Sequence, residues 1–281
     1  MNYASVIKIL CLSFLSALNI NANNNTLNQK KFVIVTPSFN NIKFVEENLK
    51  YSLGQKYKNG RVIYYDDAST DGTGNFVKAY IKEHKICKNK IRLVINKQRV
   101  GPHENIYRAI HSCDNDEIIV IVDGDDHLAD DNVLSYLNGV YADENVWSTY
   151  GQLINSNGKN GYCKALPDEV IRKNSVREYP WVTSHPKTFY AWLYKLIKIQ
   201  DLTYKDFGFF PVCGDASEMY PIVEMSGFHC KFIDKVLYVY NCDNPLSYFK
   251  KWADTEHRKF VNEVMQYIRS MPRYKPLDHK I

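Results

Sequence analysis

The stretch Glu117-Ile118-Ile119-Val120-Ile121-Val122-Asp123-Gly124-Asp125-Asp126 decides the fold. A short β-branched run with no polar alternation is the mark of a strand covered on both faces, as in the middle of a parallel sheet. It stops in a turn of carboxylates around a glycine, so the strand delivers negative charge to one edge of its sheet. Upstream the same grammar repeats. Phe32-Val33-Ile34-Val35-Thr36 is a second buried run, halted by Pro37. Residues 61–66 and 91–95 are further strand-like segments. Between them lie stretches of helical spacing: 42–53, with Ile42, Val45, Leu49 and Leu53 on one face and Gly54 closing it; 73–81, with Phe76, Val77, Tyr80 and Ile81; and 102–111, with Ile106, Ala109 and Ile110 inward and Pro102 in the first turn. Strand and helix alternating with short connections predict an α/β fold with a doubly wound, mostly parallel sheet flanked by helices.

Beyond residue 150 the pattern loosens. Residues 155–161 are an Asn- and Gly-rich loop, and Pro167, Pro180 and Pro186 punctuate the next thirty residues or so. Helices are expected over 188–198 and 216–225, a strand over 231–240 and a charged helix over 252–271.

The composition sets few limits. Of 281 residues 45% are apolar and 24% charged, which excludes a disordered chain, a collagen or a coiled-coil rod. Lys and Arg number 36 against 31 Asp and Glu, a net charge of +5, too mild to argue for a nucleic-acid partner. Seven cysteines include no CxxC pair, so a zinc ribbon is unsupported. The first residues differ from the rest. Lys8 precedes the apolar run 9–18, about half the ~20 residues needed to span a bilayer, and an Asn-rich stretch comes after it. A signal peptide ending near Ala22 fits this segment, with a buried first helix or an uncleaved membrane anchor as alternatives. The chain is then exported or lumenal, or tethered to a membrane through that segment. Without Cys11, six cysteines remain as three disulfides or six thiols.

In an open parallel sheet, ligands bind where the strands end. Three polar clusters meet that condition: Pro37-Ser38-Phe39-Asn40, Asp66-Asp67 and Asp123-Gly124-Asp125-Asp126. Carboxylates packed on a turn repel one another unless a cation intervenes, and hard cations such as Mg²⁺ or Mn²⁺ take oxygen ligands and bridge to phosphates. The alternative is a solvated acidic turn; an EF-hand is excluded because Leu128 stands where that loop needs glycine. Asp71-Gly72-Thr73 is explained as a turn and a helix cap, but the carboxylate pair before it is not, and either member suits a nucleobase imide or a ribose hydroxyl. His185-Pro186-Lys187 ahead of the expected 188–198 helix is a phosphate-binding candidate, and Trp147, Tyr179, Trp181 and Trp192 are candidates for sugar stacking or for plain core.

Taken in order, Val33 to Asn40, Asp66 to Thr73 and Asp123 to Asp126 resemble the family-2 glycosyltransferases of the GT-A fold. Asn96, Gly101 and Asn105 resemble the Asn- and Gly-containing segment between that family's second and third motifs, and the likeness extends over about residues 32–240. It implies a nucleotide-sugar donor held by Pro37, Ser38, Asn40, Asp67, Asn105 and Asp123. It also implies a divalent cation, Mn²⁺ or Mg²⁺, on Asp125 and Asp126, with UDP as the expected carrier and a glycan, lipid or protein acceptor. Cys213-Gly214-Asp215-Ala216 matches the place of the family's catalytic base and assigns that role to Asp215, although many relatives carry Glu-Asp where this chain has Gly-Asp. The resulting domain plan is a leader at 1–22, a polar linker at 23–31, a transferase domain at 32–245 with a nucleotide half (32–131) and an acceptor half (132–245), and a helical tail at 246–281. Two rivals stand beside it. One is an inactive nucleotide- or glycan-binding relic of the same fold, separable by whether Asp215 and Asp125 face one cleft. The other is a Rossmann oxidoreductase, disfavoured because no GxGxxG motif comes after the first strand.

Overall fold

A computed structural model describes residues 29–245 and 254–280. The expected leader, most of the linker and Trp252 lie outside the described residues. Among the described residues no helix is long and apolar enough to cross a membrane.

The first half alternates as expected: β1 (Lys31–Ser38), α1 (Val45–Leu53), β2 (Gly60–Asp66), α2 (Thr73–Glu83), β3 (Ile91–Ile95), α3 (Pro102–His111) and β4 (Glu117–Ile121). These strands run parallel in the order β3-β2-β1-β4. Val33, Val35, Ile119 and Ile121 are fully buried because helices cover the sheet, with α3 lying on β1. After β1 the chain steps to β2, and it later returns from β3 across to β4 on the other flank of β1. The β1–β4 seam is therefore the switch point where a crevice opens at the strands' carboxyl ends.

The second half is less regular: β5 (His127–Leu128), α4 (Val133–Val140), β6 (Ser148–Asn155), α5 (Asp168–Arg172), β7 (Thr188–Tyr190), α6 (Ala191–Lys195), α7 (Gly214–Ser226), β8 (Cys230–Tyr240) and α8 (Thr255–Ser270). The sheet continues β4-β7-β6-β8-β5, with β7 antiparallel to both its neighbours, β6 parallel to β8, and β5 antiparallel on β8. The result is a mixed, mostly parallel sheet of eight strands.

The expected helix over 188–198 is corrected. Its first residues, Thr188-Phe189-Tyr190, are β-branched and aromatic, and they close the gap between β4 and β6 as a strand before a short helix begins. The apolar spacing that suggested a helix arises because Thr188 to Tyr194 is buried on every side. β6 went unseen because Ser148, Thr149, Gly151 and Gln152 interrupt any apolar run, although its first four residues are buried. The six described cysteines are all free thiols.

The C-terminal part is fastened by one buried ion pair. Arg177 meets Glu224 of α7 through two parallel hydrogen bonds, Nε to Oε1 at 2.5 Å and Nη2 to Oε2 at 2.8 Å. The third guanidinium nitrogen donates to Ile268 O at the end of α8 (2.7 Å), and Tyr274 N donates to Glu224 Oε2 (3.0 Å). Both side chains are almost wholly buried. Glu224→Ala strands the guanidinium without its counter-charge and is expected to cost about 3–5 kcal/mol, measured as a fall in the urea unfolding midpoint; an unchanged midpoint refutes this role.

Candidate active site

The ends of β1 and β4 come together tightly. Gly124 N donates to Pro37 O (3.0 Å), and a Cβ at Gly124 would fall 2.4 Å from Ser38 Oγ and 2.7 Å from Asn41 Nδ2. Glycine is needed here for close approach rather than for an unusual dihedral. Around this seam opens a cleft of about 730 Å³, lined among others by Pro37, Ser38, Asp67, Asn105, Asp123, Asp125, Asp126 and Asp215. The expected catalytic and metal residues therefore share one cavity.

Asn40 is placed elsewhere. Its backbone turns through φ +53°, and its Oδ1 accepts from Thr70 N (2.9 Å), which ties two loops together. Asn41 lines the cleft instead, donating to Ser38 Oγ (3.1 Å). Asp67 is buried and accepts from Asn96 Nδ2 (2.7 Å), Val100 N (3.0 Å) and Gly101 N (2.8 Å). Burial pushes its carboxyl up, but these donors, with Asn105, hold it below the usual range. Asn105, fully buried, donates to Gly101 O (3.0 Å) and accepts from Asn96 Nδ2 (2.8 Å). Together they shape the 96–101 loop and bring Arg99 over the Phe39 ring, 4.0 Å from its centroid. That places a cation in the lining of the cleft.

The acidic turn divides its labour. Asp126 is buried, and both its oxygens are engaged, Oδ2 by Tyr238 OH (2.7 Å) and Oδ1 by Asn241 N (2.7 Å). It braces the turn, and Asp123 and Asp125 are the carboxylates open to a ligand. Asp125 Oδ2 accepts from Asn244 Nδ2 (2.7 Å), yet burial still raises its carboxyl. Asp123 is about a third exposed (35%), with His185 Nε2 at 3.5 Å. Burial pushes it up to about 7; Lys187 pulls down, while Asp215 and Asp125 push up. His185 offers no charge in return, since burial and the Lys187 cation drive it down to about 3. The turn thus lacks positive charge and offers only oxygen donors. Among the described residues no cluster of three or more ligating side chains encloses an ion.

Asp215 lies in the first turn of α7. It does not cap that helix: Cys213 holds the cap position at φ +56°, with no side-chain cap bond. The Asp215 carboxylate instead meets Lys187 Nζ, and 42% of its side chain remains exposed. Burial raises its carboxyl, and the Lys187 cation overrides this and holds it well below the usual range. Lys187 itself is fully buried and committed to carboxylates, which removes it as a phosphate ligand. Sequence reasoning missed Asn41, Asn244, Tyr238 and the Lys187 pairing; their signal is spatial. Of the aromatic candidates, Trp181 lines the cleft, whereas Trp147 is stacked on His229 at 3.7 Å and, like Trp192, buried.

The comparisons with known proteins agree with this architecture. The chain is 30% identical over 104 residues to "Glycosyltransferase GlyG" of Streptococcus pneumoniae serotype 4, a match over 37% of this chain and 33% of the relative. Among solved structures it is similar to S. aureus TarS 1-349 (TM-score 0.58, 17% identity, 85% of this chain and 65% of that one). It is also similar to the mannosyltransferase PcManGT from Pyrobaculum calidifontis in complex with GDP-Man and Mn²⁺ (TM-score 0.54, 20% identity, 88% and 66%). The chain thus spans a third of its sequence relative and just under two thirds of these two structures. The structural likenesses show the fold, the GT-A arrangement of a mixed sheet flanked by helices. The family model for glycosyl transferase family 2 matches residues 33–209, more than half the sequence, and the chain belongs to that family.

Proposed function

We propose that this protein transfers a sugar from a nucleotide-sugar donor to an acceptor hydroxyl, with inversion and with the aid of a divalent cation. The observation that carries the reading is the placement of Asp215 and the Asp123–Asp125 turn in one cleft at the sheet's switch point. UDP is the expected carrier. S. aureus TarS has been solved with UDP and with UDP-GlcNAc, and the cation present in PcManGT is Mn²⁺. An N-terminal export segment, if present as the sequence suggests, places the reaction outside the cytosol or at a membrane.

In this reading Pro37, Ser38 and the loop pinned by Asp67 receive base and ribose, while Asp125 and Asp123 hold the cation. When bound, that cation offsets charge on the departing diphosphate. The acceptor oxygen attacks the anomeric carbon from the face opposite the diphosphate. The new C–O bond forms as the C–O–P link breaks, the electron pair leaves on the diphosphate, and the hydroxyl proton passes to Asp215. A carboxylate held so low stays ionised at working pH. It takes the proton late, when bond formation has made the hydroxyl acidic. Trp181 and Tyr162, both at the cleft, form an aromatic wall for an acceptor sugar.

Two variants test the scheme. Asp125→Asn is expected to abolish Mn²⁺-dependent UDP binding in calorimetry without lowering the melting temperature; wild-type affinity removes the turn from the cation site. Asp215→Asn is expected to keep donor binding and lower transfer by roughly 10²–10⁴-fold. Normal turnover in that variant removes Asp215 as the base, whereas the inactive-relic reading requires that the wild type bind a donor and transfer nothing.

A further inference from the structure

Behind Asp215 lies a chain of alternating charge that the transfer scheme leaves unused. Lys187, preceding β7, has no exposed surface. A lysine is almost never so deeply buried unless it is paired. Its Nζ meets Asp215 Oδ1 and lies 3.8 Å from Glu218 Oε2, one turn further along α7. Glu218 is itself 1% exposed, and its Oε1 accepts from His103 Nδ1 of α3 at 3.1 Å. Among the described residues Glu218 Oε2 has no hydrogen-bond partner, and Lys187 is the cation that faces it. The imidazole of His103 fills the space in front of Gly214, where a Cβ would fall 2.0 Å from the ring. Glycine at 214 is thus the condition for His103 to reach Glu218. Four residues from three elements form one row: Asp215, Lys187, Glu218, His103.

Building on the assignment of Asp215 as base, we infer that Lys187 is its positioning residue. It fixes Oδ1 inside the protein, so that Oδ2 alone is presented to the acceptor hydroxyl, and the Glu218–His103 pair holds Lys187 in place. A free carboxylate on α7 would rotate about its side-chain bonds and offer either oxygen at varying distance. An ion pair in a dry site fixes that rotation and costs the lysine its mobility instead. Asp123 just beyond β4, His185, Tyr162 and Tyr240 are further titratable groups that feel the charge of Asp215.

The test uses the full chain with Mn²⁺ and whichever of UDP-GlcNAc and GDP-mannose it hydrolyses. Lys187→Gln keeps a hydrogen-bond donor but removes the charge. It is expected to lower kcat about 10²-fold, the usual effect of misplacing a reacting group, with donor KM unchanged. The acid limb of the kcat profile is expected to move to higher pH, because burial then acts on Asp215 without its cation. Lys187→Arg is expected to restore both. A merely structural lysine would alter the melting temperature and leave that limb where it is. Wild-type kcat and limb in a folded Lys187→Gln overturn the inference. Should both variants lose their thermal transition, or neither donor be hydrolysed, carboxyl NMR of the wild type decides. Asp215 is expected to stay ionised below the ordinary carboxylate range, and titration within or above that range overturns the inference. Asp215→Asn run in parallel separates the two ideas: its normal turnover refutes the base, whereas its loss alongside an unaffected Lys187→Gln refutes only the positioning.

Discussion

Mutual repulsion among carboxylates is the constraint on which this structure depends. Asp123, Asp125, Asp126 and Asp215 line one cleft. Each is treated differently. Asp126 is satisfied by Tyr238 and a backbone amide, Asp125 by Asn244, and Asp215 by a buried lysine. Asp123 has a neutral histidine beside it and little else. Only Asp215 is thus paired with a cation; Asp125 and Asp126 are satisfied by neutral donors, and Asp123 has the least compensation of the four.

Those compensating groups explain the irregular second half of the sheet. β8 places Tyr238 under Asp126, and the turn after it delivers Asn241 and Asn244. β7 is short and antiparallel because it must fill the gap beside β4 while Lys187, the residue before it, stays inside. The Arg177–Glu224 pair then clamps α7 from behind, so the helix that carries Asp215 is held at both ends.

How much could be read from the sequence depended on how far each signal reaches. β1 to β4 and α3 were legible because a buried parallel strand is a local apolar run, and Gly and Pro mark its limits within a few residues. The acidic turn and Asp215 were legible as motifs. Asn41 rather than the expected Asn40 lines the cleft because Asn40 takes a left-handed turn that the sequence does not announce. Lys187 looked like a surface cation, since nothing near it in sequence shows that Asp215 and Glu218, about thirty residues on, would enclose it. Tyr238 and Asn244 lie more than a hundred residues from their partners, beyond any periodicity argument.

That separation bears on how the protein comes off the ribosome. The segment that carries the acidic turn is made before either donor to Asp126, because Tyr238 and Asn241 are synthesised over a hundred residues later. Until then a carboxylate that is buried in the finished fold has water for its donors, and burying it without Tyr238 and Asn241 would cost free energy. The acidic turn is thus finished by the far end of the sequence: the strand that carries it and the strand that satisfies it are made at opposite ends of synthesis, and neither completes this edge of the sheet alone.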